Sequence, residues 1–254
     1  MTRTYVVTGS ASGIGRATAE RIGRDGHRVI DVDLHDATIT VDLATADGRE
    51  ALVSEVRDAL AGDPLDAVVA NAGTMASPEL CVRVNHFGAI ATLEGLRPLM
   101  AGSHAPRAVA TASCSVIGPH DPALVEACLA GDEEAAVAAS EGVDLLGYPS
   151  SKRALARWLR AAAIGPEWAG AGIALNAVAP GIVETPMVQQ HVGDPAMREL
   201  FDAAVPMPFG GHCRPEHVAE LIAFLAAPGT ERLTGQVVFV DGGSDAVQRG
   251  DDVF

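Results

Sequence analysis

The sequence predicts one α/β domain: an open, doubly wound parallel sheet with helices on both faces and a helical insert, about residues 119–144, ahead of Tyr148. Three observations predict it. Strand-length apolar runs alternate with segments of helical periodicity from Tyr5 to Val240. A glycine-rich turn joins the first of these runs to the first helix. No linker, internal repeat or second domain divides the 254 residues, although that length alone would also accommodate two small domains.

The first strand, Tyr5-Val6-Val7, leads into Thr8-Gly9-Ser10-Ala11-Ser12-Gly13-Ile14-Gly15. A helix then runs from Arg16 to its stop at Gly26, and Arg28-Val29-Ile30-Asp31-Val32-Asp33 is a second strand ending in an acid. Strand, glycine turn, helix, strand and acid make the first half of a Rossmann dinucleotide-binding fold. Glycines let the backbone approach a pyrophosphate, the helix N-terminus attracts its charge, and an acid about twenty residues on accepts the adenosine ribose hydroxyls. A carboxylate at Asp33 repels a 2′-phosphate, so NAD is expected over NADP. The bland alternative is a merely structural turn. Arg16 and Arg28 read as solvated positions, and Asp31, on the same side of its strand as Asp33, has no assigned role.

Thr38 to Leu43 reads as a short third strand whose Asp42 could reach the adenine edge, followed by a helix from about Ala46 to Leu60. Leu65 to Ala70 is the fourth strand, and the small residues of Asn71-Ala72-Gly73 at its carboxyl end suit a backbone lying against a cofactor. A long helix from about Leu80 to Met100 contains Asn85-His86-Phe87-Gly88. Asn85 is either a helix-bending hydrogen-bonder or part of a proton path, and His86 reads as an ordinary histidine. The fifth strand, Arg107 to Ala112, ends in Ser113-Cys114-Ser115, where ligands gather in open parallel sheets. Either hydroxyl could face the site.

Of the eighteen lysines and arginines seventeen are arginine; Lys152 is the sole lysine, four positions after Tyr148, one of two tyrosines. On a helix that spacing puts both on one face. An ammonium is a compact point charge and a guanidinium a planar fork, so retention of lysine here points to a site that needs a cation beside a phenol. The bland reading is a surface helix with an incidental pair. Before it, from about Pro119 to Asp144, Leu124 to Leu129 and Glu133 to Ala138 read as two short amphipathic helices around Gly131-Asp132. The helix starting near Tyr148 continues to about Gly165-Pro166, and Gly172 to Val178 is the sixth strand, followed by Pro180-Gly181-Ile182-Val183-Glu184-Thr185. Residues 187–212, rich in Met, Pro, Gly and Phe, suit an apolar lid. A helix from Pro215 to Ala226 and the strand Val237 to Val240 complete the sheet.

A formal net charge of −15 opposes nucleic acid and anionic lipid as partners, and no stretch approaches the ~20 apolar residues of a membrane span. Cys81, Cys114, Cys128 and Cys213 form no CxxC pair, so no metal is expected and the thiols read as buried and free. Met1 to Tyr5 enters a strand directly, which leaves no room for a signal peptide, and a cytoplasmic protein is expected.

Together Thr8-Gly9-x-x-x-Gly13-x-Gly15, Asn71-Ala72-Gly73, Asn85, Ser113, Tyr148-x-x-x-Lys152, Pro180-Gly181 and Asp241-Gly242-Gly243 resemble the short-chain dehydrogenases/reductases over nearly the whole chain. Within that family, Asp33-Leu34-His35-Asp36-Ala37, Asp42 to Arg49, Gly26-His27 and Asp241 to Val247 are similar to the branch of bacterial hydroxysteroid dehydrogenases/carbonyl reductases. The resemblance implies catalytic Asn85, Ser113, Tyr148 and Lys152. It implies a cofactor site of Gly9, Ser12, Gly13, Ile14, Gly15, Asp33, Asp42, Leu43, Asn71, Ala72, Gly73, Tyr148, Lys152, Pro180, Gly181, Val183 and Thr185. Val183 and Thr185 would hold the nicotinamide carboxamide. Asn85 would hold a water passing protons toward Lys152. The implied reaction oxidises a secondary alcohol or reduces a ketone, the substrate being a small hydrophobic molecule, a 3α-hydroxysteroid in particular, with cyclic or terpenoid alcohols as the alternative. A non-catalytic NAD(H)-sensing protein on the same fold is the reading from another class.

Ser113 precedes Tyr148 by 35 positions, against a little over a dozen in the wider family. The helix that starts near Tyr148 usually packs on a partner subunit there. The insert is therefore expected to obstruct that contact and leave a homodimer built on another face; a solvated decoration is the alternative. A phenol titrates near pH 10, and the Lys152 ammonium is expected to bring Tyr148 down from that value.

Overall fold

The computed structural model describes residues 2–192 and 194–253. Seven parallel strands form one sheet in the order β3-β2-β1-β4-β5-β6-β7. They are β1 (Thr4–Thr8), β2 (Arg28–Asp33), β3 (Ile39–Thr40), β4 (Ala67–Ala70), β5 (Arg107–Thr111), β6 (Ala174–Pro180) and β7 (Val237–Val240). β4, β5 and β6 are buried along their whole length, as parallel strands covered on both faces must be. The order reverses at β1, which pairs with β2 on one side and β4 on the other. That reversal opens a crevice beyond the carboxyl ends of β1 and β4, where the chain runs out into the glycine turn and into Asn71-Ala72-Gly73.

Alternation along the strands sends Val6, Val68 and Ala108 to one face and Val7, Val69 and Val109 to the other. On the first face lie α2 (Ala46–Leu60), α4 (Ala89–Leu96) and α7 (Gly147–Ala162), whose Leu52, Val56, Leu93, Leu96, Leu155 and Leu159 fill one core. On the second, α1 (Gly13–Arg24) packs beside α10 (Pro215–Ala226) through Ile22, Val218, Ile222 and Leu225. Each of these leucines and isoleucines is essentially fully buried, so truncation to alanine would cost about 2–5 kcal/mol.

Several boundaries differ from the sequence expectation. Helix α1 begins at Gly13, three residues early, because Gly13 and Ile14 already take helical hydrogen bonding inside the glycine turn and Ser12 stands as its extended N-cap. Strand β3 keeps only Ile39 and Thr40; beyond it the chain turns at Asp42 so that Thr45 can cap α2, its hydroxyl accepting from the Gly48 amide. Helix α7 stops at Ala162, and β6 is shifted two residues later than expected. The expected helix from Leu80 to Met100 is four pieces: α3 (Pro78–Leu80), a π-helical stretch (Cys81–Gly88), α4, and a 3-10 turn (Arg97–Met100) containing Pro98. Asn85 and His86 lie in the π stretch, and both are buried.

The insert folds as expected into two short helices, α5 (Pro122–Leu129) and α6 (Glu133–Ala139), capped by the Asp121 and Asp132 carboxylates. It is no solvated decoration: Leu124, Val125, Cys128 and Ala136 form a small core with Val82 of the π stretch and Ala154 of α7. The region expected to be a lid contains α8 (Pro186–Val192) and α9 (Pro195–Ala204), and α9 has no buried residue. Residue 193 of that segment lies outside the described residues; its last part makes two contacts with the rest of the fold, Met207 Sδ accepting from the Ile182 amide and the Phe209 amide donating to the Gly242 carbonyl. The C-terminal helix α11 (Ser244–Arg249) follows β7. Among the described residues no helix is long and apolar enough to cross a membrane.

Candidate active site

The carboxyl ends of β1, β2, β4, β5 and β6 surround a cavity of about 550 Å³. Gly9, Ser12, Gly13 and Ile14 form its floor at the start of α1. Gly9 has φ +70°, and a Cβ there would stand 2.9 Å from the Ala72 backbone, so the turn closes only with glycine. Gly15, expected among the cofactor residues, is not on the cavity wall. A Cβ on it would lie 1.9 Å from the Gly9 carbonyl oxygen; its task is to let α1 pack against the turn.

Asp33, at the end of β2, lines the cavity with its carboxylate held by two backbone amides, Ala11 at 2.8 Å and Leu34 at 2.6 Å. Asp31 has a structural task, accepting from the amide and hydroxyl of Thr38 to close the turn between β2 and β3. Asp42 and Leu43 also line the cavity, the Asp42 carboxylate accepting from the Ala44 amide at 2.9 Å.

Asn71, Ala72 and Gly73 form the wall beyond β4. The Asn71 side chain is a brace: its amide donates to the Thr8 carbonyl at 3.1 Å and its carbonyl accepts from the Thr111 hydroxyl at 3.0 Å. The Thr8 hydroxyl accepts from the amides of Asn71 and Ala72 at 3.0 and 3.1 Å. Sequence reasoning assigned no task to Thr8 or Thr111. Thr8 stands in the glycine motif and could have been found there; Thr111 carries no signal.

Asn85 is fully buried and lies behind the wall. Its Oδ1 accepts from the Thr74 amide at 2.8 Å, and its Nδ2 donates to the Thr74 carbonyl at 2.9 Å and the Ser151 hydroxyl at 3.2 Å. The side chain thus clamps residue 74 from inside a stretch of altered helical pitch, in line with the helix-bending alternative. Gly73 admits this approach, since a Cβ there would stand 3.1 Å from Asn85 Oδ1 and 3.3 Å from Lys152 Nζ.

Tyr148 and Lys152 project from the first turns of α7 onto the same wall, with Nζ 5.9 Å from the phenol ring centre. The two serines between them, Ser150 and Ser151, are committed. Ser150 accepts from the Asp121 amide at 2.8 Å, tying α7 to the insert, and Ser151 donates to the Tyr148 carbonyl at 2.8 Å. Ser113 faces the cavity; Ser115 does not, and its hydroxyl is buried with no partner among the described residues. The two serines that strand polarity left equivalent are thereby distinguished.

Burial dominates the electrostatics. It pushes the Tyr148 phenol above its ordinary value, an effect that hydrogen bonding to Ser113 offsets only in part. Burial brings Lys152 down to about 8, and its Nζ donates to the Thr111 carbonyl at 2.7 Å. The expected lowering of Tyr148 by the nearby ammonium is therefore not what this cavity does to its residues alone: loss of water around the phenol dominates, and Ser113 is what opposes it.

Val183 and Thr185 follow β6 on the wall with Pro180 and Gly181. The Thr185 amide folds back on the Val183 carbonyl at 2.7 Å, which turns the chain into α8. Apart from Thr74 and Thr111, the rest of the wall is apolar, with Met75, Leu80, Val84, Pro186, Met187 and Val188 among its residues. Its charged residues, among those described, are Asp33, Asp42 and Lys152. A positive-φ glycine floor, a helix N-terminus without a side-chain cap and a carboxylate at the second strand end fit a dinucleotide.

Comparison with known proteins agrees with this geometry. Residues 3–122 match the family model described as short chain dehydrogenase, and residues 133–245 match one described as Enoyl-(Acyl carrier protein) reductase. The 3-alpha-hydroxysteroid dehydrogenase/carbonyl reductase of Comamonas testosteroni is 35% identical over 254 residues, covering 96% of this chain and 97% of that protein. The cis-4-hydroxycyclohexanecarboxylate dehydrogenase of Sinomonas cyclohexanicum is 33% identical over 262 residues, with 96% and 97% covered. The crystal structure of the 3-alpha-hydroxysteroid dehydrogenase from Pseudomonas sp. B-0831 complexed with NADH superposes with a TM-score of 0.90 at 41% identity, covering 98% of this chain and 99% of that one. With a fold that superposes at this TM-score and identity along nearly its whole length, this chain belongs to the oxidoreductases of the short-chain dehydrogenase/reductase family.

Proposed function

We propose that the protein is an NAD(H)-dependent oxidoreductase that interconverts secondary alcohols and ketones of neutral hydrophobic molecules, 3α-hydroxysteroids foremost. The observation that carries this reading is the convergence of Tyr148, Ser113 and Lys152 on one wall of a cavity whose other walls are a glycine floor with Asp33 and an apolar surface. NAD is the expected dinucleotide because the Asp33 carboxylate, fixed by two amides, offers acceptors to ribose hydroxyls and repels a 2′-phosphate. When bound, the nicotinamide supplies or accepts the hydride.

The chain's own residues orient the carbonyl and handle one proton. The Ser113 hydroxyl donates to the substrate oxygen. Tyr148, kept protonated by burial, gives its proton to that oxygen as a ketone is reduced and takes it back as an alcohol is oxidised. Lys152, anchored on the Thr111 carbonyl, holds positive charge beside the phenol when the proton leaves and steadies the phenolate. Asn85 acts by position: its amide is committed to Thr74 and Ser151, so it shapes the wall on which Lys152 and Gly73 sit. Such a complete set of acid, hydroxyl donor and ammonium favours an enzyme over a silent sensor on the same fold.

The wall also bears on the substrate. Lys152 is its only cation among the described residues; one of its three N–H donors is engaged by the Thr111 carbonyl, and its charge faces the phenol. A carboxylate buried against the apolar part of the wall would lack a partner, at a cost of several kcal/mol. A neutral polycyclic alcohol suits the surface of Met75, Leu80, Val84 and Met187 better than a hydroxycyclohexanecarboxylate does. The free, buried cysteines support a cytoplasmic location. The insert covers Ala154 on α7, which supports a dimer built on another face; a tetramer in solution scattering would overturn that assembly.

The deciding experiment follows NADH absorbance with 3α-hydroxysteroids, their 3β epimers, neutral cyclic alcohols and hydroxycyclohexanecarboxylates. Turnover is expected to be greatest on the 3α-alcohols. Activity confined to small cyclic alcohols would overturn the steroid reading and leave the oxidoreductase intact.

A further inference from the structure

Arg49 sits on the first turn of α2, and its guanidinium is engaged on three sides. Nη1 and Nη2 bind both carboxylate oxygens of Glu133, at 2.6 and 2.8 Å. Nε donates to the Leu43 carbonyl at 2.7 Å, and Nη2 also donates to the Arg83 carbonyl at 2.8 Å. Leu43 belongs to the Asp42–Ala44 loop on the cavity wall, and Glu133 is the first residue of the insert's second helix, behind the Asp132 cap. The loop is otherwise gripped from two sides by glycines. A Cβ on Gly48 would meet the Asp42 carbonyl oxygen at 2.0 Å, and one on Gly88 would stand 3.0 Å from that of Leu43.

The pair is largely withdrawn from water, with side chains 12% and 24% exposed. Burial pulls the Glu133 carboxyl upward, but the hydrogen bonds and charges of Arg49 and Arg83 outweigh it and hold the group below its ordinary value. A planar fork can join a carboxylate to two carbonyls at once; an ammonium cannot span them. A chain of direct contacts therefore runs from α6 through Glu133 and Arg49 to the carbonyl of a cavity-wall residue. Glu134, next along the same helix, reaches only Arg83 among these groups and has no contact with the loop.

We infer that Glu133 and Arg49 form a positioning pair that sets the Asp42–Ala44 loop for the dinucleotide, so that the insert is a working part of the cofactor site. This rests on the cofactor reading above. Binding of NADH to the loop and docking of α6 then favour each other, since each holds the same guanidinium geometry.

The test uses the full-length protein and the variants Glu133→Gln, Arg49→Lys and, as a control, Glu134→Gln. NADH affinity is measured by fluorescence titration, kcat and KM with the best alcohol, folding by thermal melting, and backbone exchange by mass spectrometry with and without NADH. Glu133→Gln and Arg49→Lys are expected to weaken NADH binding roughly fivefold or more with kcat within about twofold, while Glu134→Gln binds as the wild type does. In the wild type, NADH should slow exchange in residues 133–139 as well as in 42–44; in Glu133→Gln the slowing at 133–139 should vanish. If wild type binds NADH and the first two variants bind it equally well, even with lowered melting points, the pair is glue for the insert and the inference is wrong. If exchange in 133–139 ignores NADH in the wild type, the coupling is likewise refuted. Failure of the wild type itself to bind NADH would remove the cofactor reading and the inference together.

Discussion

The Lys152 ammonium donates to the main-chain carbonyl of Thr111 at 2.7 Å, and the same threonine's hydroxyl braces Asn71 at 3.0 Å. The sole lysine of the chain is thus held by the end of β5. Burial brings it from 10.5 to about 8. Because its folded value lies below its unfolded one, the charged form is disfavoured on folding. That cost is full below about pH 8 and fades as pH rises toward 10.5. Urea unfolding of wild type and Lys152→Met should show the wild type gaining stability relative to the variant between pH 8 and 10.5, by on the order of 2–3 kcal/mol. A pH-independent gap would remove the assigned shift.

Tyr148→Phe removes one hydroxyl and no packing. Turnover should fall at least 10²- to 10⁴-fold while NADH affinity stays within a factor of about two. Wild-type-like turnover in this variant would take Tyr148 out of the mechanism. Lys152→Arg should be impaired as well, since a guanidinium cannot occupy the narrow approach beside Gly73 that an ammonium takes.

Asp33→Ser should weaken NAD and improve the relative use of NADP, because it removes the charge that repels a 2′-phosphate. Loss of charge-assisted hydrogen bonds of about 1.5–3 kcal/mol corresponds to roughly a tenfold or greater rise in the KM for NAD. An unchanged ratio of kcat/KM for the two cofactors would refute the assignment.

Two glycines of α1 should respond in opposite directions. Gly15→Ala would drive a methyl to 1.9 Å from the Gly9 carbonyl oxygen, where only backbone could yield, and should cost about 3 kcal/mol or more. A methyl on Gly23 would meet nothing within 4 Å, and Gly23→Ala should stabilise by about 0.5–1 kcal/mol. Denaturant midpoints of the two variants, measured side by side, check both signs.

What the sequence made legible was local. The strand-turn-helix at Gly9–Gly13 and the four-residue spacing of Tyr148 and Lys152 are written in neighbouring residues, and so are the two capped helices of the insert. What it concealed depends on distant partners. The apolar pattern from Leu80 to Met100 fits an α-helix as well as the π stretch observed, and the grip of Asn85 on Thr74 that accompanies the π stretch forms only in the folded chain. Gly15 reads like its neighbours in the motif until Gly9 is folded against it. Nor does any local pattern report that loss of water around the half-buried Tyr148 phenol outweighs its hydrogen bond to Ser113.

The π stretch from Cys81 to Gly88 winds wider than an α-helix and so holds more residues per turn. The in-frame loss of a single codon there would be absorbed as the i→i+5 ladder tightens to i→i+4, with the phase of α4 nearly unchanged. Leu93 and Leu96 would keep their place in the core, while Asn85 could no longer meet both groups of Thr74. A one-residue deletion across this octet therefore separates the cavity wall from the core beneath it: the first is displaced and the second is spared.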